Sequence, residues 1–356
     1  MEAVMLVGGQ GTRLRPLTEN TPKPMLPVAN FPCTAHQIVK ARDAGVTRII
    51  LSTSYRAEVF ESYFGAGEDF GIEIVYVTEE SPLGTGGAIR NVADALQSGP
   101  NEPVVVLNGD ILSGHSIEKQ VAEHVAKNAD VSLHLIDVED PRAFGLVPTD
   151  AAGRVLQFLE KPQTPEEIVT HQINAGCYVF KRSVIDAIPA GRVVSVERET
   201  FPGLLDSQAN VVGYVENAYW LDLGNPLAFA QGSQDLVRGA CPSSLVAQPG
   251  DSLIDSSAVV GVGAVVTEGS AIAARAHIDS AATVSGSVVM AGAVIEAGAV
   301  VTNSIVGAGA VIGQRVELVD TVVGDGARVD ADNQLRAGAR VWTGAHLPSN
   351  TVRFSA

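Results

Sequence analysis

The sequence has few cysteines and no long apolar run near its start. Its 3 cysteines, Cys33, Cys177 and Cys241, lie far apart among 356 residues and form no C-x-x-C pair. That spacing argues against a zinc or dithiol redox site and favours reduced thiols in the cytoplasm. The apolar run Ala3–Val7 ends at Gly8 and is too short for a signal peptide or a membrane span. We therefore expect a soluble, cytoplasmic protein.

The sequence also lacks an excess of basic residues. Its formal net charge is −16, whereas nucleic acids and anionic membranes attract proteins that present basic faces. Neither is therefore expected as a partner. A hydrophobic content of 46% is typical of an ordered globular chain, and the length is sufficient for two domains. Local clusters of cations in so acidic a chain indicate small anionic ligands such as phosphates.

In the first half, short aliphatic runs alternate with helical patterns. The alternation predicts an α/β fold with a Rossmann-like, mainly parallel sheet covered on both faces. Ligands of such sheets bind outside the carboxyl ends of the strands, so the loop after the first strand is expected at a nucleotide site. Strands are predicted at Ala3–Val7, Arg48–Ser52, Ile72–Val77, Val104–Leu107 and Val131–Ile136. Helices are predicted near Thr34–Ala44, Ala57–Phe64, Ala88–Leu96, Ile117–Lys127 and Leu227–Val237.

The second half follows a six-residue rhythm, interrupted by occasional steps of five. Neither a helix nor an ordinary strand has this period, which is typical of a parallel β-helix with three short strands per coil. It resembles the left-handed β-helix of hexapeptide-repeat proteins. We expect an α/β domain at 1–238, a linker at 239–251 and the β-helix at 252–356. The aliphatic positions expected to point inward are Ile254, Val260, Val266, Ile272, Ile278, Val284, Val289, Ile295, Val301, Val306, Ile312, Leu318, Val323, Val329, Leu335 and Val341.

The loop after the first strand, "GGQGTRLRPLTENTPKPMLPV" (Gly8–Val28), has the composition of a phosphate-binding loop. It contains no G-x-x-x-x-G-K-[ST], and Leu14 stands where the third glycine of G-x-G-x-x-G would be. Small residues let backbone amides approach an anion closely. Arg13 can fork onto phosphate oxygens, Lys23 supplies a compact charge, and the prolines stiffen the loop between them.

This loop is similar to the signature of the sugar-1-phosphate nucleotidylyltransferases, and further motifs follow in the order of that family. As a set they are highly specific, and their wording is closest to bacterial mannose-1-phosphate guanylyltransferases, a branch in which a β-helix follows the catalytic domain. The further motifs are "PLGTGGAI" (82–89), "NGD" (108–110), "FGLV" (144–147), "FLEKP" (158–162), "NAGCYVF" (174–180) and "WLDLGNP" (220–226).

The resemblance implies transfer of a nucleotidyl group from a nucleoside triphosphate to a sugar-1-phosphate, with release of pyrophosphate. GTP and mannose-1-phosphate, giving GDP-mannose, are the substrates that it favours. Two alternatives stay open. One is a UTP-, dTTP- or ATP-dependent enzyme that acts on glucose-1-phosphate, and the other is a non-catalytic regulatory subunit with the same two domains. The β-helix is expected to serve assembly into a homo-oligomer rather than chemistry.

The resemblance also assigns roles to individual residues. Arg13 and Lys23 are expected to hold the triphosphate and Lys161 the sugar phosphate, as the catalytic cations. Asp110 and Asp222 are expected to hold Mg²⁺, a hard ion that prefers oxygen ligands. Substrate-binding positions are Gly8, Gly9, Gly11, Thr12, Glu79, Gly84, Thr85, Asn108, Gly109, Gly145, Glu160 and Asn174.

Glu79 in "TEESPLGTGG" is the residue expected to select the base. Guanine presents two adjacent donors, N1–H and the exocyclic amine, and an ionised carboxylate can accept both. Pyrimidine-using relatives place a glutamine near this position, and this segment has none. The alternative is an exposed acidic turn before Pro82.

Overall fold

The apolar runs of the first half form a nine-stranded sheet in the computed structural model, which describes residues 1–54 and 56–353. Each predicted strand is found within one residue of its expected bounds. The sheet consists of β1 (Glu2–Leu6), β4 (Arg48–Thr53), β5 (Glu73–Thr78), β6 (Pro103–Asn108), β8 (Val131–Asp137), β9 (Gly145–Leu146), β10 (Leu159–Glu160), β11 (Gln172–Lys181) and β12 (Val211–Val215). Outside it lie β2 (Pro27–Val28), β3 (Phe31–Pro32), β7 (Ile111–Ser113) and β13 (Trp220–Asp222).

The sheet is mixed, which modifies the prediction of a mainly parallel one. Strands β6, β1, β4 and β5 are neighbours and run parallel. Strand β11 runs antiparallel to β6, β8 and β9, and β9 is antiparallel to β10. An apolar run carries no information about strand direction, so the sequence pattern could not distinguish the two arrangements. The Rossmann-like α/β character of the sheet is confirmed.

The five predicted helices are found close to their expected positions, except that α3 is shifted, and two short helices, α5 and α6, were not predicted. Helix α3 begins at Gly84, four residues before its predicted start, because tertiary contacts override the low helix propensity of its glycines. Helix α7 has ordinary end signals: the Asn225 side chain accepts from the N–H of Ala228 at 3.0 Å, and Gly239 ends the helix. The helices are α1 (Cys33–Asp43), α2 (Ala57–Phe64), α3 (Gly84–Asn91), α4 (Ile117–Ala126), α5 (Arg182–Ala187), α6 (Phe201–Asp206) and α7 (Pro226–Arg238).

The second half forms three sheets of short parallel strands, consistent with the left-handed β-helix that the rhythm predicts. We call them the first, second and third β-helix sheets. The first sheet contains β14 (Ser252–Ile254), β17 (Ser270–Ile272), β20 (Val288–Val289), β23 (Ile305–Val306), β26 (Val322–Val323) and β29 (Arg340–Val341). The second contains β15 (Val259–Val260), β18 (His277–Ile278), β21 (Val294–Ile295), β24 (Val311–Ile312), β27 (Arg328–Val329) and β30 (His346–Leu347). The third contains β16 (Val265–Thr267), β19 (Thr283–Ser285), β22 (Val300–Thr302), β25 (Glu317–Val319) and β28 (Gln334–Leu335).

The inward positions of the β-helix are those that the rhythm predicts, apart from the first coil. Every predicted position from Ile272 to Val341 is buried in one apolar stack. Ile254 and Val260 are instead 41% and 39% exposed, because their strands lie at the edges of the first two sheets.

By its internal contacts the chain divides into two compact units. The first unit is Met1–Gly8 with Gln37–Trp220, and the second is Gly9–His36 with Leu221–Ala356. The second unit therefore contains most of the opening loop and α7 as well as the β-helix, which the sequence pattern did not predict. Among the residues that the structure describes, no helix is long and apolar enough to cross a membrane.

Candidate active site

The carboxyl edge of the parallel strands gathers several predicted residues of the first unit. Strand β1 pairs with β6 so that Leu6 lies opposite Asn108. The N–H of Gly109 then donates to the carbonyl of Leu6 at 2.8 Å. A Cβ at residue 109 would lie 2.6 Å from that oxygen, so the close approach requires glycine. The turn brings Asp110 to the edge at which Gly8, exposed, follows β1.

A buried tyrosine links two of the predicted binding residues. The Asn174 side chain donates to the Tyr178 hydroxyl at 2.8 Å, and Asn108 also hydrogen-bonds that hydroxyl. Tyr178 is fully buried, and burial together with the nearby Glu197 carboxylate raises its pKa well above the usual range. The neutral hydroxyl is therefore a fixed link between the two amides. The sequence pattern did not indicate this link, although Tyr178 lies in the same motif, four residues after Asn174.

The predicted sugar-side residues lie together on a short antiparallel pair. Glu160 on β10 is opposite Gly145 on β9, and β9 also pairs with β11 through Leu146. The Lys161 ammonium lies 3.5 Å from a Glu160 carboxylate oxygen, with 57% of the lysine side chain and 20% of the glutamate side chain exposed. Such an exposed pair adds little to stability. The ammonium is therefore accessible to an anionic ligand.

Glu79 lies at the same strand edge and is engaged by its own loop. It follows β5, its N–H donates to the carbonyl of Thr53 at 2.8 Å, and its carboxylate accepts from the N–H of Leu83 at 3.1 Å. Burial raises the pKa of the Glu79 carboxyl, while the bonds from Leu83 and Ser52 act in the opposite direction. Glu79 thus orders the turn before α3, a structural role that sequence analysis did not anticipate.

Thr85 holds the start of α3 against a neighbouring segment of the first unit. Its hydroxyl donates to the Glu197 carboxylate at 2.7 Å and accepts from the N–H of Val196 at 2.9 Å. The N–H of Gly86 donates to the carbonyl of Val194 at 2.8 Å. These contacts leave the adjacent Gly84 exposed, while the Thr85 side chain serves the packing of the helix.

In the second unit the opening loop folds back on itself around Gly11. This residue is left-handed, with φ 57°, and its carbonyl accepts from the Thr18 hydroxyl at 2.9 Å. A Cβ at residue 11 would lie 2.7 Å from the Cβ of Lys23, so glycine permits the two ends of the loop to meet. Gly9 and Thr12 are exposed on the same loop.

Two cations of the loop approach one carboxylate. The Lys23 ammonium lies 3.6 Å from a carboxylate oxygen of Asp222, whose side chain is 31% exposed. A Cβ placed on Gly224 would lie 2.9 Å from an Arg13 guanidinium nitrogen and 2.9 Å from the other Asp222 oxygen. Arg13, Lys23 and Asp222 therefore converge beside Gly224. This is the charge pattern expected of a site for a polyphosphate.

The predicted residues are divided between the two units, and their joint arrangement stays a prediction. Among residues 1–54 and 56–353, no group of three or more His, Cys, Asp or Glu side chains could hold a metal ion. Asp110 and Asp222 nevertheless supply the hard oxygen donors that suit a divalent cation. The first unit contains Gly8, Glu79, Gly84, Thr85, Asn108, Gly109, Asp110, Gly145, Glu160, Lys161 and Asn174. The second contains Gly9, Gly11, Thr12, Arg13, Lys23 and Asp222.

Two protein families match the chain. Residues 2–239 match the family described as Nucleotidyl transferase, and residues 248–347 match the GMPPB C-terminal domain. Mannose-1-phosphate guanylyltransferase of Mycobacterium tuberculosis is 50% identical over 357 residues, which cover 100% of this chain and 98% of that protein. Mannose-1-phosphate guanylyltransferase 1 of Arabidopsis thaliana is 35% identical over 274 residues, which cover 75% of this chain and 74% of that protein.

The fold also resembles solved structures. HddC from Yersinia pseudotuberculosis superposes with a TM-score of 0.57 at 27% identity, over 66% of this chain and 98% of HddC. The same protein complexed with GMP-PN gives the same values.

The link through Tyr178 generates a test of the first-unit residues. Tyr178→Phe removes the hydroxyl that holds Asn108 and Asn174 and leaves the ring packing in place. Loss of one such hydrogen bond costs about 0.5–1.5 kcal/mol, so we expect the KM for the sugar phosphate to rise about two- to ten-fold. Steady-state kinetics with each substrate varied in turn would measure it.

Tyr214→Phe is the matched control, because the Tyr214 hydroxyl donates to Glu216 at 2.5 Å and to none of the predicted site residues. We expect Tyr214→Phe to leave the KM unchanged. Equal KM values for both variants and the unaltered protein would contradict a role for Tyr178 in ordering the two asparagines.

Proposed function

The chain belongs to the nucleotidyl transferase family, and on that premise we propose that it converts GTP and mannose-1-phosphate into GDP-mannose and pyrophosphate. Similarity along the whole chain to a mannose-1-phosphate guanylyltransferase supports these substrates. The observation that carries the proposal is the convergence of Arg13 and Lys23 of the opening loop on Asp222.

Family matches at 2–239 and 248–347 support the division into domains at 1–238 and 252–356 with a linker between them. The burial of all three cysteines agrees with a cytoplasmic location.

In the proposed reaction a phosphate oxygen of the sugar phosphate attacks the α-phosphorus of the triphosphate in line. A new P–O bond forms, the bond between the α-phosphorus and the bridging oxygen breaks, and pyrophosphate leaves with that electron pair. The attacking oxygen is already anionic at neutral pH, because the second phosphate pKa is about 6, so no general base is needed. Arg13 and Lys23 hold the triphosphate, and Lys161 holds the sugar phosphate beside Glu160, Gly145 and Asn174. Catalysis then consists of positioning and charge stabilisation.

Members of this family generally use a divalent metal ion, and we propose that here the ion is Mg²⁺. Asp110 and Asp222 would hold it through carboxylate oxygens, the ligand type that Mg²⁺ prefers. When bound, it would neutralise negative charge that develops on the phosphate oxygens. Asp222 is partly exposed, which suits this role.

A panel of substrates tests the proposed reaction. We expect pyrophosphate release to be fastest with GTP and mannose-1-phosphate when GTP, UTP, dTTP and ATP are each combined with mannose-1-phosphate and glucose-1-phosphate. Glu79→Gln should lower kcat/KM for GTP by roughly ten- to a hundred-fold, because a bidentate base contact is worth about 1–3 kcal/mol. Glutamine retains an oxygen that can accept from Leu83, so the turn before α3 is preserved.

Glu80→Gln is the matched control, since Glu80 is the exposed neighbour in the same turn. A preference of the unaltered protein for UTP or dTTP would overturn the guanine assignment. Turnover with none of the eight pairs would favour the non-catalytic subunit. An unchanged preference in Glu79→Gln would remove Glu79 alone from the proposal.

The metal assignment predicts a selective loss of turnover. Asp110→Asn and Asp222→Asn keep the size of each side chain and remove its charge, so each should abolish most turnover with little change in the thermal transition. Mn²⁺ binding followed by electron paramagnetic resonance would measure metal affinity independently of activity. Asp206→Asn, on an exposed aspartate at the end of α6, is the control. Near-normal turnover of either variant at limiting Mg²⁺ would refute the assignment.

We also propose that the chain forms a homo-oligomer through the β-helix. The first coil lies at the edge of all three sheets and carries exposed apolar side chains: Val259 is 52%, Val262 92% and Val265 47% exposed. Exposed strand edges with apolar side chains favour association with another chain.

Sedimentation velocity measures this association. We expect the unaltered protein to sediment as an oligomer and Val262→Asp to shift it towards the monomer, because a charge there would be buried on association. Val300→Asp, at an exposed position in a distant coil, serves as the control. A monomeric unaltered protein would refute the proposal.

A further inference from the structure

One outward face of the β-helix is buried, unlike the other two. On the first sheet Ala271, Val288, Ile305 and Val322 are paired in register from strand to strand, and each neighbours an inward residue. They are between 0% and 3% exposed. Outward residues on the second and third sheets, such as His277, Arg328 and Val300, are exposed. The first sheet is therefore covered by other parts of the protein.

Part of that cover comes from α7 and from the segment that follows the opening loop. The Gln234 side chain of α7 donates to the carbonyl of Gly286 at 2.8 Å. The Asn30 side chain donates to the carbonyl of Ile272 at 3.0 Å, and the N–H of Ala29 donates to the Ser233 hydroxyl at 3.0 Å. The segment that follows the opening loop is thus held by both α7 and β17.

Arg340 holds the first half of the opening loop. It follows Val322 in the same outward row, and its guanidinium donates to the backbone carbonyl of Arg15 at 2.6 Å. A Cβ on Gly324 would lie 3.0 Å from the Pro16 ring, so this residue packs against the β-helix as well. The arginine therefore holds the backbone two residues from Arg13.

The loop has a buried side and an open side. Leu14 and Leu17 are 0% and 1% exposed, whereas Thr12 and Arg13 are exposed. Contacts on the buried side hold the backbone from which the exposed Arg13 side chain projects. A donor that carries a charge strengthens the bond to the Arg15 carbonyl relative to a neutral one.

We propose that Arg340 is a positioning residue for the triphosphate-binding loop, so that the β-helix contributes to nucleotide affinity. The inference rests on the proposed function, in which Arg13 and Lys23 hold the triphosphate. Arg340 acts through the loop backbone and does not touch the substrate. Its bond keeps the cations in place before the nucleotide arrives, which reduces the ordering cost of binding.

Arg340→Ala tests the inference in the full chain. Arg340 is exposed, so its loss removes little packing. A hydrogen bond from a charged group is worth about 1.5–3 kcal/mol, so we expect the KM for the triphosphate to rise at least about ten-fold. We expect the KM for the sugar phosphate to stay within about two-fold, since Lys161 lies elsewhere in the chain. Arg340→Lys should recover part of the loss, because an ammonium can still donate to the carbonyl.

Arg315→Ala is the matched control. Arg315 is another exposed β-helix arginine, and its guanidinium donates twice to Asp332, at 2.8 Å each, within the β-helix itself. A merely structural effect of losing a β-helix arginine would therefore be seen in Arg315→Ala, where we expect no change in either KM.

Hydrogen exchange in the ligand-free protein provides a second readout that is independent of activity. Amides of residues 9–20 should exchange faster in Arg340→Ala than in the unaltered protein or Arg315→Ala. The inference requires both the faster exchange and the selective rise in the KM for the triphosphate. If either of these two results is not observed, the inference is overturned. If the unaltered protein turns over none of the substrate pairs, the proposed function fails, whereas unchanged exchange would refute the positioning contact itself.

Discussion

The approach of Lys23 and Arg13 to Asp222 is the interaction on which the candidate site depends. It requires the opening loop to lie against the segment that leads into α7, far away in the sequence. A partly exposed ion pair contributes at most about 1 kcal/mol, so it does not cause the loop to fold there. Leu14 and Leu17 of the loop are buried, and each fully buried leucine contributes roughly 1.5–3 kcal/mol, which is more than the ion pair. Apolar packing fixes the loop, and the charges use the position that results.

This constraint gives the β-helix a second role. A solenoid needs only its inward residues for its own stability. The first sheet also has an apolar outward row, Ala271 to Val322, which is buried beneath other elements of the second unit. Assembly through the exposed first coil does not explain that row. The row is explained by its support of α7 and of the segment that follows the opening loop. One such contact is the hydrogen bond from the Asn30 side chain to the carbonyl of Ile272.

Sequence patterns were sufficient to predict most strands, helices and coils, but not the long-range contacts between them. Strand and coil positions could be predicted because burial imposes a period on the local sequence. The antiparallel direction of β11 and the early start of α3 depend on distant partners, so no local pattern contains them. Tyr178 and Arg340 were missed for the same reason: each acts on a residue of another element. The outward row of the first sheet, however, was visible as apolar residues at coil spacing.

Some of the site residues taken from family motifs also have a structural role in the fold. Thr85 and Glu79 are engaged in holding α3, so their removal would alter the fold locally as well as any substrate contact.

Asp222 also has two roles. Arg13 and Lys23 carry like charges that repel each other, and the carboxylate beside both compensates that repulsion. Loss of its charge would therefore disturb the cations even without metal, whereas Asp110 belongs to the first unit and has no part in the cluster of the second. A weaker metal affinity common to Asp110→Asn and Asp222→Asn would thus report the metal site, and an additional defect in triphosphate binding confined to Asp222→Asn would report the organisation of the loop.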